Sequence, residues 1–347
     1  MIRREKIEEG VRTMLSMNMG LKEGETLLVI TDVPILSDWT EKRTHELAKM
    51  VQTTLLAKEV FEIAKQNYPT CSVEFYAYPS VGKSGAEPPE EVVKRMLDSR
   101  VVIAITTCSL THTEAREKAS KAGSRIASMP GFTPEMFYPG GVMSVDYKRM
   151  REESRVLVRL IASTDGVVIH SPGGTDLKLS IRGREPRSSL GELSEEGAWG
   201  NLPGGEVYVA PLEGTASGSI VVEKARYPTL SEDMVLTFQN GQVTEVAGGG
   251  QMGDHYRALL DCDKMEEPYL SRRNCAELGI GLNPNAKHPD NLLEAEKIRG
   301  TVHMAIGDNS HFGGKVKADM HQDFVIFKPT LEFDGKPIIK NGRLFVK

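Results

Sequence analysis

Between residues 26 and 129 short apolar runs alternate with stretches of helical period, and that alternation confines the first part of the chain to a parallel α/β arrangement. The run Thr26-Leu27-Leu28-Val29-Ile30, bounded by Gly24 and Pro34, is apolar after its first residue, as a strand covered on both faces must be. A helical stretch over about 41–66 follows, then an alternating strand over 72–78, a helix over 89–98 and a strand over 101–106. Parallel neighbours cannot be joined by a tight turn, so the intervening helices act as crossovers. Ahead of this, Ile7, Val11, Met14 and Leu15 lie at helical spacing in a segment that Gly20 ends. Beyond it, 111–122 reads as a further helix with Thr113 at its start, leading to a strand over 125–129.

After Met150 the texture changes. Short β-prone runs at 166–170, 176–181, 207–209, 219–222 and 234–239 are divided by glycines, which predicts mainly antiparallel sheet with helices inserted. A length of 347 residues exceeds what one compact core usually holds. The expected organisation is therefore an N-terminal α/β domain over 1–150 with a parallel-type sheet, and a C-terminal α+β domain over 151–347 rich in antiparallel strands.

A formal net charge of -5, with Lys and Arg scattered among the acids, leaves no basic stripe and argues against a nucleic-acid partner. Cys71, Cys108, Cys262 and Cys275 form no Cys-x-x-Cys pair, which fits a reducing compartment better than a disulfide framework or a zinc knuckle. The mixed charges at the N-terminus, with no apolar run behind them, predict neither a secretory signal nor a membrane span, and the expectation is a cytoplasmic protein.

The densest polar cluster lies near the C-terminus, where His303, His311 and His321 fall within nineteen residues. A strand over 320–327 puts His321 and Asp323 on one face by its period of two, where an imidazole and a carboxylate can grip the same cation. The preceding Gly313-Gly314 permits a close turn. Two further acids stand in glycine-framed strand settings: Glu206 in Pro203-Gly204-Gly205-Glu206-Val207-Tyr208, and Glu277 in Cys275-Ala276-Glu277-Leu278-Gly279. An acid among apolar residues is costly unless paired or coordinated.

Taken singly, His303 reads as a hydrogen-bonded core histidine and Asp323 as the partner of a lysine. Jointly, two glutamates, two histidines and an aspartate make a mixed oxygen and nitrogen donor set with enough carboxylate for two divalent ions, which points to hydrolysis. No Gly-x-Ser-x-Gly, His-Glu-x-x-His or P-loop lysine motif competes, and Gly248-Gly249-Gly250 lacks dinucleotide spacing.

At these residues the chain resembles the M29 family of metalloaminopeptidases, the aminopeptidase T family, whose ligand-bearing segments occur here in family order. They are Glu206-Val207-Tyr208-Val209-Ala210-Pro211, the segment around Glu277, His303-Met304-Ala305-Ile306-Gly307 and His321-Gln322-Asp323. The resemblance covers most of 160–330 and, more loosely, the N-terminal half, including 109–116. It implies metal ligands at Glu206, Glu277, His303, His321 and Asp323, a pair of Zn, Co or Mn ions, removal of N-terminal residues from small peptides, and a homodimer.

Ser310 stands where that family carries a tyrosine. This leaves Ser310 and its neighbour His311 as candidates for the proton-transfer role, with Glu277 both ligand and catalytic group. The same superfamily includes non-haem iron dioxygenases similar to 2,5-dihydroxypyridine 5,6-dioxygenase. That likeness implies instead Fe(II) at His321 and Asp323 and a small aromatic acid as substrate. A histidine expected near Gly281-Leu282-Asn283-Pro284 is met in this chain by Glu277. The added carboxylates favour the hydrolase, and a metal-binding protein without turnover is the third reading.

The remaining polar candidates read as ordinary structure: His255 and His288 as surface histidines, His112 beside a capped helix start, and Arg257, Arg272 and Arg273 on an exposed helix. Glu213 and Glu223 read first as strand-surface charges, with orientation of a ligand histidine as the alternative.

Overall fold

The computed structural model describes residues 2–227 and 230–345. In chain order its strands are β1 (Thr26–Val33), β2 (Ser72–Pro79), β3 (Val101–Ala104), β4 (Arg125–Ser128), β5 (Gly166–His170), β6 (Asp176–Ser180), β7 (Arg187–Ser189), β8 (Trp199–Asn201) and β9 (Glu206–Val209). They continue as β10 (Ser217–Val222), β11 (Met234–Gln239), β12 (Gln242–Gly248), β13 (Cys275–Gly281), β14 (Val302–Gly307), β15 (His321–Ile326), β16 (Thr330–Phe333), β17 (Lys336–Lys340) and β18 (Arg343–Leu344). The chain forms two units, Met1–Val145 with Gly191–Gly204, and Asp146–Leu190 with Gly205–Lys347.

The first unit is built on a parallel sheet in the order β2-β1-β3-β4-β8. Leu28 and Ile30 of β1 and Val102 of β3 pack with Val92 and Met96 of the helix Glu90–Leu97 and with Ala115 and Ala119 of the helix Glu114–Lys121. The helix Thr44–Asn67 buries Leu56, Val60 and Ile63 against β1 and β2. Thr113 caps Glu114–Lys121 by accepting the Arg116 N–H at 3.2 Å.

The boundary is not a single cut near residue 150, because 191–204 returns to the first unit to add β8. Specific contacts hold that strand. The Arg116 guanidinium stacks 3.7 Å from the Trp199 ring, and Asn201 Nδ2 donates to Thr111 Oγ1 and the Ser128 carbonyl at 3.0 and 3.1 Å.

The second unit holds two antiparallel sheets, β12-β11-β10-β6-β5-β16-β17-β18 and β15-β14-β13-β9-β7. In the latter, β13 and β14 are buried at every position, so each polar residue on them must be paired. The helix Tyr147–Ala162, capped by Asp146 accepting the Arg149 N–H at 3.1 Å, packs on β9. Gly205 is in the left-handed region at φ +133°, and a Cβ there would lie 2.7 Å from Asn283 Cβ. That closeness lets the Gly205 carbonyl accept the Leu282 N–H at 2.8 Å, which brings the start of β9 to the end of β13. Among the described residues no helix is long and apolar enough to cross a membrane.

Candidate metal centre

Register in the smaller sheet of the second unit decides which side chains meet. Glu206 and Tyr208 of β9 oppose Gly281 and Gly279 of β13, Gly279 and Glu277 oppose His303 and Ala305 of β14, and Ala305 and Gly307 oppose Asp323 and His321 of β15. Directly opposed residues share a face, so Glu206, Tyr208, Glu277, His303, His321 and Asp323 project from the same side. A bulge between Cys275 and Glu277 re-aims the start of β13, and small residues at 279, 281, 305 and 307 form the floor between the donors.

The donors run in a continuous line. His303 Nε2 lies 3.4 Å from Glu206 Oε2 and 3.2 Å from Glu277 Oε1. His321 Nε2 lies 3.5 Å from Glu277 Oε2 and 3.5 Å from Asp323 Oδ1. Glu277 thus divides its two oxygens between the two histidines. Burial would raise its carboxyl, but hydrogen bonds from His303 and His321 outweigh this and hold it well below the usual carboxylate range. Burial likewise opposes charge on His303, yet the bond to Glu277 and the charges of Glu206 and Glu277 lift it to about 9. His321 is raised by Asp323 and Glu277 against the same opposition.

The two histidines are supported differently. His321 Nδ1 donates to the Asp308 carbonyl at 2.8 Å, which fixes the ring with Nε2 toward Glu277 and Asp323, the arrangement of a ligand histidine. His303 Nδ1 is buried without a hydrogen-bond partner among the described residues. The turn that carries Asp308 is itself pinned. The Asp308 carboxylate accepts the Ser310 and Ala318 N–H groups at 3.1 and 3.0 Å, and Asn309 bonds Glu213 and the Val316 N–H at 3.1 and 2.9 Å. Glu213 also accepts the Lys315 N–H at 2.8 Å and pairs with Arg184.

Donor chemistry and spacing fit a cation best at Glu277, His321 and Asp323, which each offer one ligand atom within 4.8 Å of the others, the one such group among the described residues. Imidazole and two carboxylates suit a divalent transition metal, and all three must be deprotonated to bind it. Because His321 holds its proton above its ordinary value in the metal-free protein, metal affinity is expected to rise with pH through the neutral range. Metal added at pH near 7 in weak buffer should release protons, read with a pH indicator; metal uptake with no proton release would contradict this assignment. The sign for stability is opposite. The metal-free protein loses the contribution of charged His303 as pH climbs from its ordinary value near 6.5 through about 9.

The structure therefore brings together Glu206, Glu277, His303, His321 and Asp323. It places Ser310 and His311 in the exposed turn after β14, Ser310 Oγ donating to Asp308 and His311 Nε2 3.8 Å from the same carboxylate. His255, His112 and His288 are exposed. Arg272 pairs with Asp319 at 2.6 Å, Arg257 with Asp254 at 2.6 Å, and Arg273 donates to the Cys262 and Lys264 carbonyls. Sequence reasoning missed Asp308, Asn309, Tyr208 and Lys297. The polar run Asp308-Asn309-Ser310 directly after an apolar strand was the available signal for the first two. Tyr208, two residues from Glu206, could have been placed on its face by strand period. The Tyr208 ring lies 5.5 Å from Phe312, which lies 5.7 Å from the His321 ring, so an aromatic wall adjoins the donors.

Fold and site together define a mixed α/β protein with a candidate metal site on an antiparallel sheet. The chain belongs to the 2,5-dihydroxypyridine 5,6-dioxygenase (NicX) family, whose sequence profile it matches over residues 11–346. It is 23% identical over 261 residues to 2,5-dihydroxypyridine 5,6-dioxygenase of Pseudomonas putida KT2440, covering 69% of this chain and 70% of that protein. Its fold is similar to the solved structure of 2,5-dihydroxypyridine dioxygenase from Pseudomonas putida KT2440, with a TM-score of 0.72 and 16% identity over 100% of this chain and 99% of that one. It is also similar to wild-type AmpT from Thermus thermophilus, with a TM-score of 0.62 and 15% identity over 99% and 100%. The M29 resemblance thus holds for the fold, while the family is that of the dioxygenase.

Proposed function

We propose that this protein is a mononuclear non-haem metal dioxygenase that opens a dihydroxylated, pyridine-like ring. The observation that carries the reading is the compact triad Glu277, His321 and Asp323, with His321 preset by the Asp308 carbonyl, in a chain of this family. Glu277, His321 and Asp323 would hold an Fe(II) ion, which would supply the redox chemistry that ring cleavage by O₂ requires; with one histidine and two carboxylates the set departs from the two-histidine, one-carboxylate pattern of such iron sites, so the family match carries the choice of iron. The protein's own part is positional. His303 stands between Glu206 and Glu277 and orients Glu277 from behind, and Tyr208 and Phe312 offer aromatic surface against which a planar ring can pack beside His321.

A second reading, a two-metal aminopeptidase, is favoured by one specific observation: Glu206 and His303 continue the donor line beyond the triad, and Glu277 turns one carboxylate oxygen to each histidine. The test sets both against each other. Metal-stripped protein is reloaded with Fe²⁺ under anaerobic conditions, or with Zn²⁺, Co²⁺ or Mn²⁺. It is then assayed for O₂ uptake on dihydroxypyridines and for release of residues from free and N-blocked dipeptides. Fe²⁺-dependent O₂ uptake matched by loss of ring absorbance is the expected result; cleavage of unblocked dipeptides alone would replace it with the aminopeptidase.

A further inference from the structure

Lys297 is 2% exposed, and it stands at the far end of the donor line, where the metal reading gives it no role. Its Nζ lies 2.6 Å from Glu206 Oε1 and 3.1 Å from Glu296 Oε2. Glu206 therefore splits its oxygens as Glu277 does. Oε1 is held by the ammonium, and Oε2 faces His303 Nε2 at 3.4 Å. From there the line passes through His303 to Glu277 Oε1 at 3.2 Å, and the other Glu277 oxygen faces His321. Two acids, Glu206 and Glu277, flank one imidazole in a buried space, and like charges there repel unless something anchors them. A lysine ammonium does this without leaving, since it is covalently part of the chain and 2.6 Å is a strong charge-assisted contact.

We infer that Lys297 is a positioning residue of the metal centre: by holding the outer oxygen of Glu206 it sets that acid against His303, and through His303 it fixes how Glu277 is presented to the metal. The inference rests on the reading that Glu277, His321 and Asp323 bind a cation, but not on which substrate is turned over. Groups that orient a ligand from behind typically change metal affinity by about 10- to 100-fold.

The test uses Co²⁺ as probe on metal-stripped full-length protein, with affinity by calorimetry and ligand geometry by the visible absorption of the bound ion. Lys297→Met is expected to weaken Co²⁺ binding by about 10-fold or more and to alter the spectrum, while Lys297→Arg, which keeps the charge, restores most of both. If Lys297→Met does not fold, Lys297→Gln carries the same comparison. Wild-type affinity and spectrum in the uncharged variant would overturn the inference while leaving the metal site standing. Equal loss in the arginine variant would also overturn it, since size rather than charge would then matter. Additional Co²⁺ bound in the uncharged variant would show the ammonium competing with metal, which contradicts a positioning role. Failure of the wild type to bind Co²⁺ would remove the metal reading itself, and the inference with it.

Discussion

Glu277→Gln is expected to strip the protein of its metal. The substitution keeps size and one acceptor oxygen but removes the charge that faces both histidines, at 3.2 Å from His303 and 3.5 Å from His321. Three consequences act together. The triad falls from two carboxylates to one, the His321 imidazole loses one of its two acidic neighbours, and the donor line from Glu206 to Asp323 is cut at its centre. Loss of a direct ligand should exceed the effect of any residue acting from behind it, so affinity should drop by more than about 100-fold. Metal content after dialysis reads this directly. A melting curve should show a folded protein of lower stability, because the amide still fits the space but the two buried histidines lose the carboxylate that faced them. Metal content equal to that of the wild type would take Glu277 out of the site.

How much of this was legible in sequence varies with the distance over which each feature is decided. The parallel sheet of the first unit follows from local alternation, since Leu27 to Ile30 must be covered on both faces and the helices that follow provide the cover. The convergence of His321 and Asp323 follows from a period of two within one strand. Glu277 and His303 stand out because each is a polar residue in a strand otherwise able to be wholly buried. What needs tertiary information is different in kind. β8 is three residues long and has no periodicity of its own; its place is set by Trp199 meeting Arg116 and Asn201 meeting Thr111. Lys297 sits in Leu292-Leu293-Glu294-Ala295-Glu296-Lys297, which reads as a solvated helical surface, and it is buried because the fold sets it against Glu206. Ser310 and His311 earn attention by adjacency to the motif, yet the short turn over Ser310–Phe312 directs them to Asp308 and solvent.

Gly279→Ala tests the register itself. No backbone strain is involved, because Gly279 is not in the left-handed region; the demand is purely for space. A Cβ at this position would lie 1.9 Å from His303 Nε2, 2.1 Å from Cε1 and 2.6 Å from Cδ2, so the imidazole lies directly on the glycine. One methyl group must therefore push the ring away from Glu206 and Glu277, or push β13 from β14, and β13 is buried throughout. Overpacking of this kind costs about 1–3 kcal/mol or more, and it should be accompanied by weakened metal binding because Glu277 loses its contact with His303. A double-mutant cycle separates this cause from a general loss of sheet stability. In the His303→Ala background the ring is gone, and Gly279→Ala should cost much less than it does in the wild type, giving a coupling of about 1 kcal/mol or more by denaturant unfolding. If the two losses simply add, the methyl group clashes with something other than the imidazole, and the packing of His303 over Gly279 is not what keeps that position free of a side chain.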